Sequence, residues 1–67
     1  MKSGYLVRTD YPEGNRMYQV YRLIDATKPD EPDNREEYAE YSGHDVAIRV
    51  AKSLNAQAAE YYWKGTE

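Results

Sequence analysis

Ser42-Gly43-His44-Asp45-Val46-Ala47-Ile48-Arg49-Val50-Ala51-Lys52-Ser53-Leu54-Asn55-Ala56-Gln57-Ala58-Ala59-Glu60-Tyr61-Tyr62 is the stretch whose reading decides the fold. Ala47, Val50, Ala51, Leu54, Ala58, Tyr61 and Tyr62 recur at intervals near the helical period, and Arg49, Lys52, Ser53, Gln57, Glu60 and Lys64 occupy the positions between. The pattern predicts one amphipathic helix over about residues 43–64 with a single apolar stripe. Ser42 followed by Asp45 matches a capping box, and Gly65 supplies a stop. Leu54, flanked on the stripe by Ala51 and Ala58, is expected to be the main helical knob. A stripe of this kind must be buried against another layer.

Upstream residues supply that layer. Residues 5–9 and 16–25 are rich in β-branched and aromatic side chains, and Asp10-Tyr11-Pro12-Glu13-Gly14-Asn15 between them reads as a hairpin turn. Residues 26–35 carry two Pro, several acidic groups and no large apolar side chain, so they form a long acidic loop. Residues 37–41, Glu-Tyr-Ala-Glu-Tyr, alternate as a third, short strand. The expected fold class is α+β: a three-stranded antiparallel meander with one C-terminal helix packed across a face, as a single domain over residues 1–67.

Composition narrows the function. Nine Leu, Ile and Val and no Phe in 67 residues fall well under the ~20% below which chains begin to resemble disordered ones. Eight Tyr, one Trp and two Met add apolar area that the aliphatic count omits. Burial against a partner, including a second copy, would relieve the shortage. The absence of Cys removes disulfides and thiolate chemistry and points to a cytoplasmic protein. No apolar run has the length of a membrane span, and the start leads into no apolar signal core, so no membrane association is expected.

Reactive groups are few. His44 is the only imidazole, and no nucleophile accompanies it in sequence. Asp25, Asp30, Glu31, Asp33, Glu36 and Glu37 crowd the loop region without the spacing of a calcium loop. No catalytic residue, metal site or cofactor is expected, and the chain reads as a non-enzyme.

The tyrosines point elsewhere. In the second strand Tyr18, Val20, Arg22 and Ile24 face one side, and Met17, Gln19, Tyr21 and Leu23 the other. Whichever side the helix covers, the other keeps large apolar groups, and such patches mark association surfaces. Met17, Tyr21, Leu23, Tyr61 and Trp63 are therefore the candidate interface residues of a protein–protein interaction module that pairs with a protein partner or with itself as a homo-oligomer.

A second reading comes from resemblance. Tyr18-Gln19-Val20-Tyr21-Arg22 looks like the central strand, and Asp45-Val46-Ala47-Ile48-Arg49-Val50-Ala51 like the helix, of the arm-type DNA-binding domains of phage and transposon integrases and the related plant AP2-type domain. The resemblance spans residues 5–54 and implies a sheet laid in the major groove, with Arg8, Arg16 and Arg22 as the DNA-contacting residues. Those domains carry more Lys and Arg on the sheet and a Gly-Phe pair leading into the helix. Here Gly43 precedes His44, the loop is acidic, and the net charge of −3 works against phosphate binding. Protein interaction is the first reading and DNA binding the alternative.

Overall fold

Pro12, Glu13 and Gly14 turn the chain back on itself, and the runs on either side of them pair. In the computed structural model, which describes the backbone of residues 1–65 and the side chains of residues 1–58, β1 (Leu6–Asp10) lies antiparallel to β2 (Met17–Leu23). Val7 stands opposite Val20, and Arg8 opposite Gln19. A 3-10 turn over Pro12–Gly14 makes the connection, with Glu13 (φ 53°) and Gly14 (φ 81°) both left-handed. Glycine adopts that conformation without strain, whereas Glu13 holds it against the clash of its own Cβ.

β3 (Arg35–Tyr41) pairs antiparallel with the other side of β2, giving the order β1-β2-β3. Pairing passes from Val20 opposite Ala39 to Tyr21 opposite Glu37, which leaves Tyr38 as the extra residue of a bulge. The three-stranded meander with a C-terminal helix packed across it is the expected α+β architecture.

Two strand boundaries differ from expectation by two residues, the others by no more than one, and Asn34 is the reason. β2 ends at Leu23 rather than Asp25, and β3 begins at Arg35 rather than Glu37. Ile24 N–H donates to the Asn34 carbonyl (2.9 Å) and Asp25 N–H to Asn34 Oδ1 (2.9 Å). Asn34 Nδ2 donates in return to the carbonyls of Asp25 (3.0 Å) and Pro29 (2.9 Å). One buried amide thus closes the 25–34 loop into a ring and withdraws Ile24 and Asp25 from the ladder. A 3-10 turn over Pro32–Asn34 brings Asn34 into position.

The helix α1 (His44–Gly65) covers the β2 face that carries Val20. Ala47 N–H bonds to the Gly43 carbonyl (3.1 Å), which places Gly43, not Ser42, at the cap position. Val20 and Ala47 are fully buried and Ala51 nearly so, with Tyr5, Val7, Tyr18, Tyr41, Val50 and Leu54 packed around them. Leu54 is only half-buried, so it is not the central knob. Two alanines let the helix approach closely, and side chains of the sheet fill the space. Ala58 is exposed, and the side chains of Tyr61 and Tyr62 lie outside the described residues.

Farther along the helix, Asn55 behaves like a strand residue. Its Oδ1 accepts from Tyr5 N–H (2.7 Å) and its Nδ2 donates to the Tyr5 carbonyl (3.1 Å), tying the entry of β1 to the helix. A Cβ on Gly4 would stand 3.2 Å from that Oδ1, so the close approach depends on glycine there.

Candidate interaction face of the sheet

The pleat puts every second residue on the side away from the helix. With Tyr5, Val7, Tyr18 and Val20 turned toward α1, the open face carries Leu6, Arg8 and Asp10 from β1 and Met17, Gln19, Tyr21 and Leu23 from β2. Glu37 and Glu40 face the same way from β3, in register with Tyr21 and Gln19. The register, which the turn by itself left open, aligns Leu6 with Tyr21 and Arg8 with Gln19. Leu6 is 41% exposed, and Met17 and Leu23 are half-buried.

Tyr21 departs from expectation. As an interface residue it should be exposed, yet only 4% of it is. Its hydroxyl donates to Asp30 Oδ2 (2.5 Å), and the Arg35 guanidinium lies 5.7 Å over its ring while Arg35 Nε donates to Asp30 Oδ1 (2.6 Å). The loop closed by Asn34 delivers Asp30 onto the sheet, and Tyr21 is the seat of that loop, not a free contact. Tyr61 and Trp63, the other two aromatic candidates, have side chains outside the described residues. Met17 and Leu23, with Leu6, make up the apolar part of the open face.

Burial and the hydrogen bond to Asp30 push the Tyr21 phenol above its ordinary value. The same hydroxyl, then Arg35, holds the Asp30 carboxyl below its ordinary range. Lys2 (2.8 Å), then Arg22, does the same for Glu36, and two bonds from Thr27 do so for Asp25. A carboxylate whose folded pKa is depressed adds stability above its unfolded pKa of about 4 and loses it as pH falls through the lower folded value. Acid unfolding is therefore expected below about pH 4. Asp30→Asn should flatten that acid limb while lowering stability near neutrality, as read by circular dichroism across a pH series. An unchanged limb would mean that the Tyr21–Asp30–Arg35 cluster does not govern acid stability.

The arginines separate rather than cluster. Arg8, on the open face, donates to Gln19 Oε1 (3.2 Å) and lies 3.6 Å from Asp10. Arg22 is on the helix side, 5.0 Å over the Tyr5 ring and bound to Glu36 at 2.7 Å. Arg16 is exposed in the segment before β2. The three residues of the DNA-binding alternative thus share no face, and two of them already hold carboxylates.

Glu40 was not marked by sequence reasoning. It stands beside Gln19 in the ladder, with one carboxylate oxygen shielded from solvent and meeting no donor among the described residues. Burial first, then a hydrogen bond shared with Glu37 and the charges of Glu37 and Asp10, raise its pKa, while Arg8 pulls it down. Only the register could have revealed it, because nothing in Glu-Tyr-Ala-Glu-Tyr distinguishes Glu40 from Glu37. His44 rests edge-on against the Tyr18 ring at 5.1 Å, and among the described residues no three His, Cys, Asp or Glu converge as a metal site. Among the described residues no helix is long and apolar enough to cross a membrane. Compared with family models, curated proteins and solved structures, the chain has no match.

Proposed function

We propose that this chain is a non-catalytic protein-interaction module that associates through the open face of its sheet, with a second copy as the partner. The observation that carries the reading is that α1 covers one side of a three-stranded sheet while the other side keeps Leu6 41% exposed and Met17 and Leu23 half-buried beside the loop seated on Tyr21. Among the described residues the buried apolar side chains are Val20, Ala47, Ala51 and Tyr21, two of them alanine, which is a small core. Burial of a second face would add to it.

Sedimentation equilibrium at about 10–100 μM, spanning typical micromolar dissociation constants, tests this directly. The expected result is a mass rising toward twice the 7.8 kDa of the chain. Leu6→Glu should return it to the monomer with unchanged helix content. A wild-type monomer at about 100 μM would reject self-association. Labelled duplex DNA titrated at roughly 50 mM salt tests the alternative, and micromolar binding that Arg22→Ala weakens would replace the protein-interaction reading.

A further inference from the structure

The hydrogen bonds at the start of β1 show which of its backbone groups look away from the sheet. Tyr5 N–H and the Tyr5 carbonyl both bond to the Asn55 side chain, so they point away from β2. Leu23 of β2 conforms, with its carbonyl accepting from Ser3 N–H (3.0 Å) and its N–H donating to Ser3 Oγ (2.8 Å). Alternation turns Leu6, Arg8 and Asp10 inward to Tyr21, Gln19 and Met17 and leaves the N–H and C=O groups of Val7 and Thr9 on the outer edge. Asn55 caps Tyr5, and no group among the described residues does the same for Val7 or Thr9.

An unpaired edge is a template for another strand, and proteins commonly guard it. The β3 edge is guarded, because the Tyr38 bulge breaks the run of outward groups and Glu36, Glu37 and Glu40 load the strand with one charge. β1 has no bulge against β2, and its charges, Arg8 and Asp10, are of opposite sign. Two β1 edges paired antiparallel about a two-fold axis must set outward groups against outward groups. An axis at Arg8 would lay Arg8 on Arg8, and one at Asp10 would lay Asp10 on Asp10. An axis at Val7 would call on the Tyr5 groups that Asn55 already holds. An axis at Thr9 sets Thr9 on Thr9, and Arg8 of each copy then stands beside Asp10 of the other.

We propose that a second copy of this chain pairs edge to edge along β1 about a two-fold axis at Thr9, joining two three-stranded sheets into one of six strands. Thr9 of each copy exchanges both of its backbone bonds with Thr9 of the other. Tyr11, whose own carbonyl accepts from Gly14 N–H (3.2 Å), donates its N–H to the Val7 carbonyl. The ring of Tyr11, a residue 61% exposed in the single chain, is brought opposite Val7. Arg8 and Asp10 are accessible for the cross-pair, with side chains 31% and 35% exposed and only a loose 3.6 Å contact between them. The partner strand turns off at its Pro12, before it reaches Tyr5 and Asn55. This edge is a different surface from the open face, and so short a contact is expected to be the weaker of the two.

The test therefore uses the Leu6→Glu chain, in which the face is blocked, at about 1 mM, where millimolar association registers. Sedimentation is expected to show dimers there, and amide exchange at Thr9 should slow as concentration rises from about 0.1 to 1 mM. Thr9→Pro should abolish both effects with the fold intact, since the N–H it removes is not part of the β1–β2 ladder. Arg8→Asp and Asp10→Arg should each weaken the dimer about tenfold, because like charges then meet at both contacts, and an equimolar mixture of the two should restore it. Circular dichroism confirms folding, and the charge exchange decides the matter if Thr9→Pro does not fold. A Leu6→Glu chain that stays monomeric at about 1 mM, or dimers that survive Thr9→Pro undiminished, would overturn edge pairing. A mixture no tighter than its components would overturn the Thr9 register. Wild-type dimers at micromolar concentration that Leu6→Glu leaves whole and Thr9→Pro disperses would establish the edge and reject the face.

Discussion

Asn34→Leu is expected to unfold a large part of the population at room temperature. The substitution keeps the number and branching of the side-chain heavy atoms, in a somewhat larger side chain, and removes every hydrogen bond that the Asn34 amide makes across the 25–34 loop. Asp25 N–H loses its acceptor, and the carbonyls of Asp25 and Pro29 lose their donor. Asn34 is only 9% exposed, so water does not readily replace the amide. Leaving a buried polar group without a partner costs about 1–3 kcal/mol, and the loop contributes several such groups. A loss of about 2–4 kcal/mol compares with the roughly 3–5 kcal/mol typical of so small a core. The effect reaches the sheet, because a released loop withdraws Asp30 from Tyr21 and leaves that ring uncovered. Asp33→Ala, the exposed neighbour, should change stability by less than about 0.5 kcal/mol. Urea titrations of the two variants make the comparison, and equal midpoints would show that the amide does not hold the loop.

Ala47→Leu is expected to be nearly as damaging. Ala47 is fully buried against Val20, and Ala51 lies one turn on. The added carbon atoms have nowhere to go unless the helix lifts from the sheet, and overpacking of this kind costs about 1–3 kcal/mol. Lifting the helix would also stretch the paired bonds between Asn55 and Tyr5. Leu54→Ala removes a half-buried side chain at the margin of the core and should cost no more than about 2 kcal/mol, the low end for leucine truncation. Lys52→Ala, exposed, is expected to be neutral within about 0.5 kcal/mol. Thermal melts that rank Leu54→Ala well below Ala47→Leu would move the core toward the C-terminal half of the helix.

Much of the architecture is legible in the residues because it depends on near neighbours. The stripe from Ala47 to Leu54 follows the 3.6-residue period, and the structure turns those side chains inward. The hairpin follows from Pro12 and Gly14 between two strand-like runs. Alternation along β2 separates Met17, Gln19, Tyr21 and Leu23 from Tyr18, Val20 and Arg22, and the fold keeps them separate. What alternation leaves open is which set the helix covers, since both contain apolar groups and one residue of register reverses every side chain.

The sequence by itself therefore determined the elements, their order and the two candidate faces of the sheet, all set by interactions within a few residues along the chain. Tertiary structure alone decided the fate of individual side chains. Tyr21 is buried because Asp30, nine residues away, reaches its hydroxyl, and Asp30 does so because Asn34 folds the loop back. Arg8 and Arg22 lie on opposite faces, each beside a different carboxylate, because the ladder places them there. Glu40 has a shielded oxygen in a ladder that sets it opposite Gln19, with Glu37 beside it on its own strand. Burial, charge pairing and exposure depend on groups brought together across many residues, and local propensity carries no information about which of them meet.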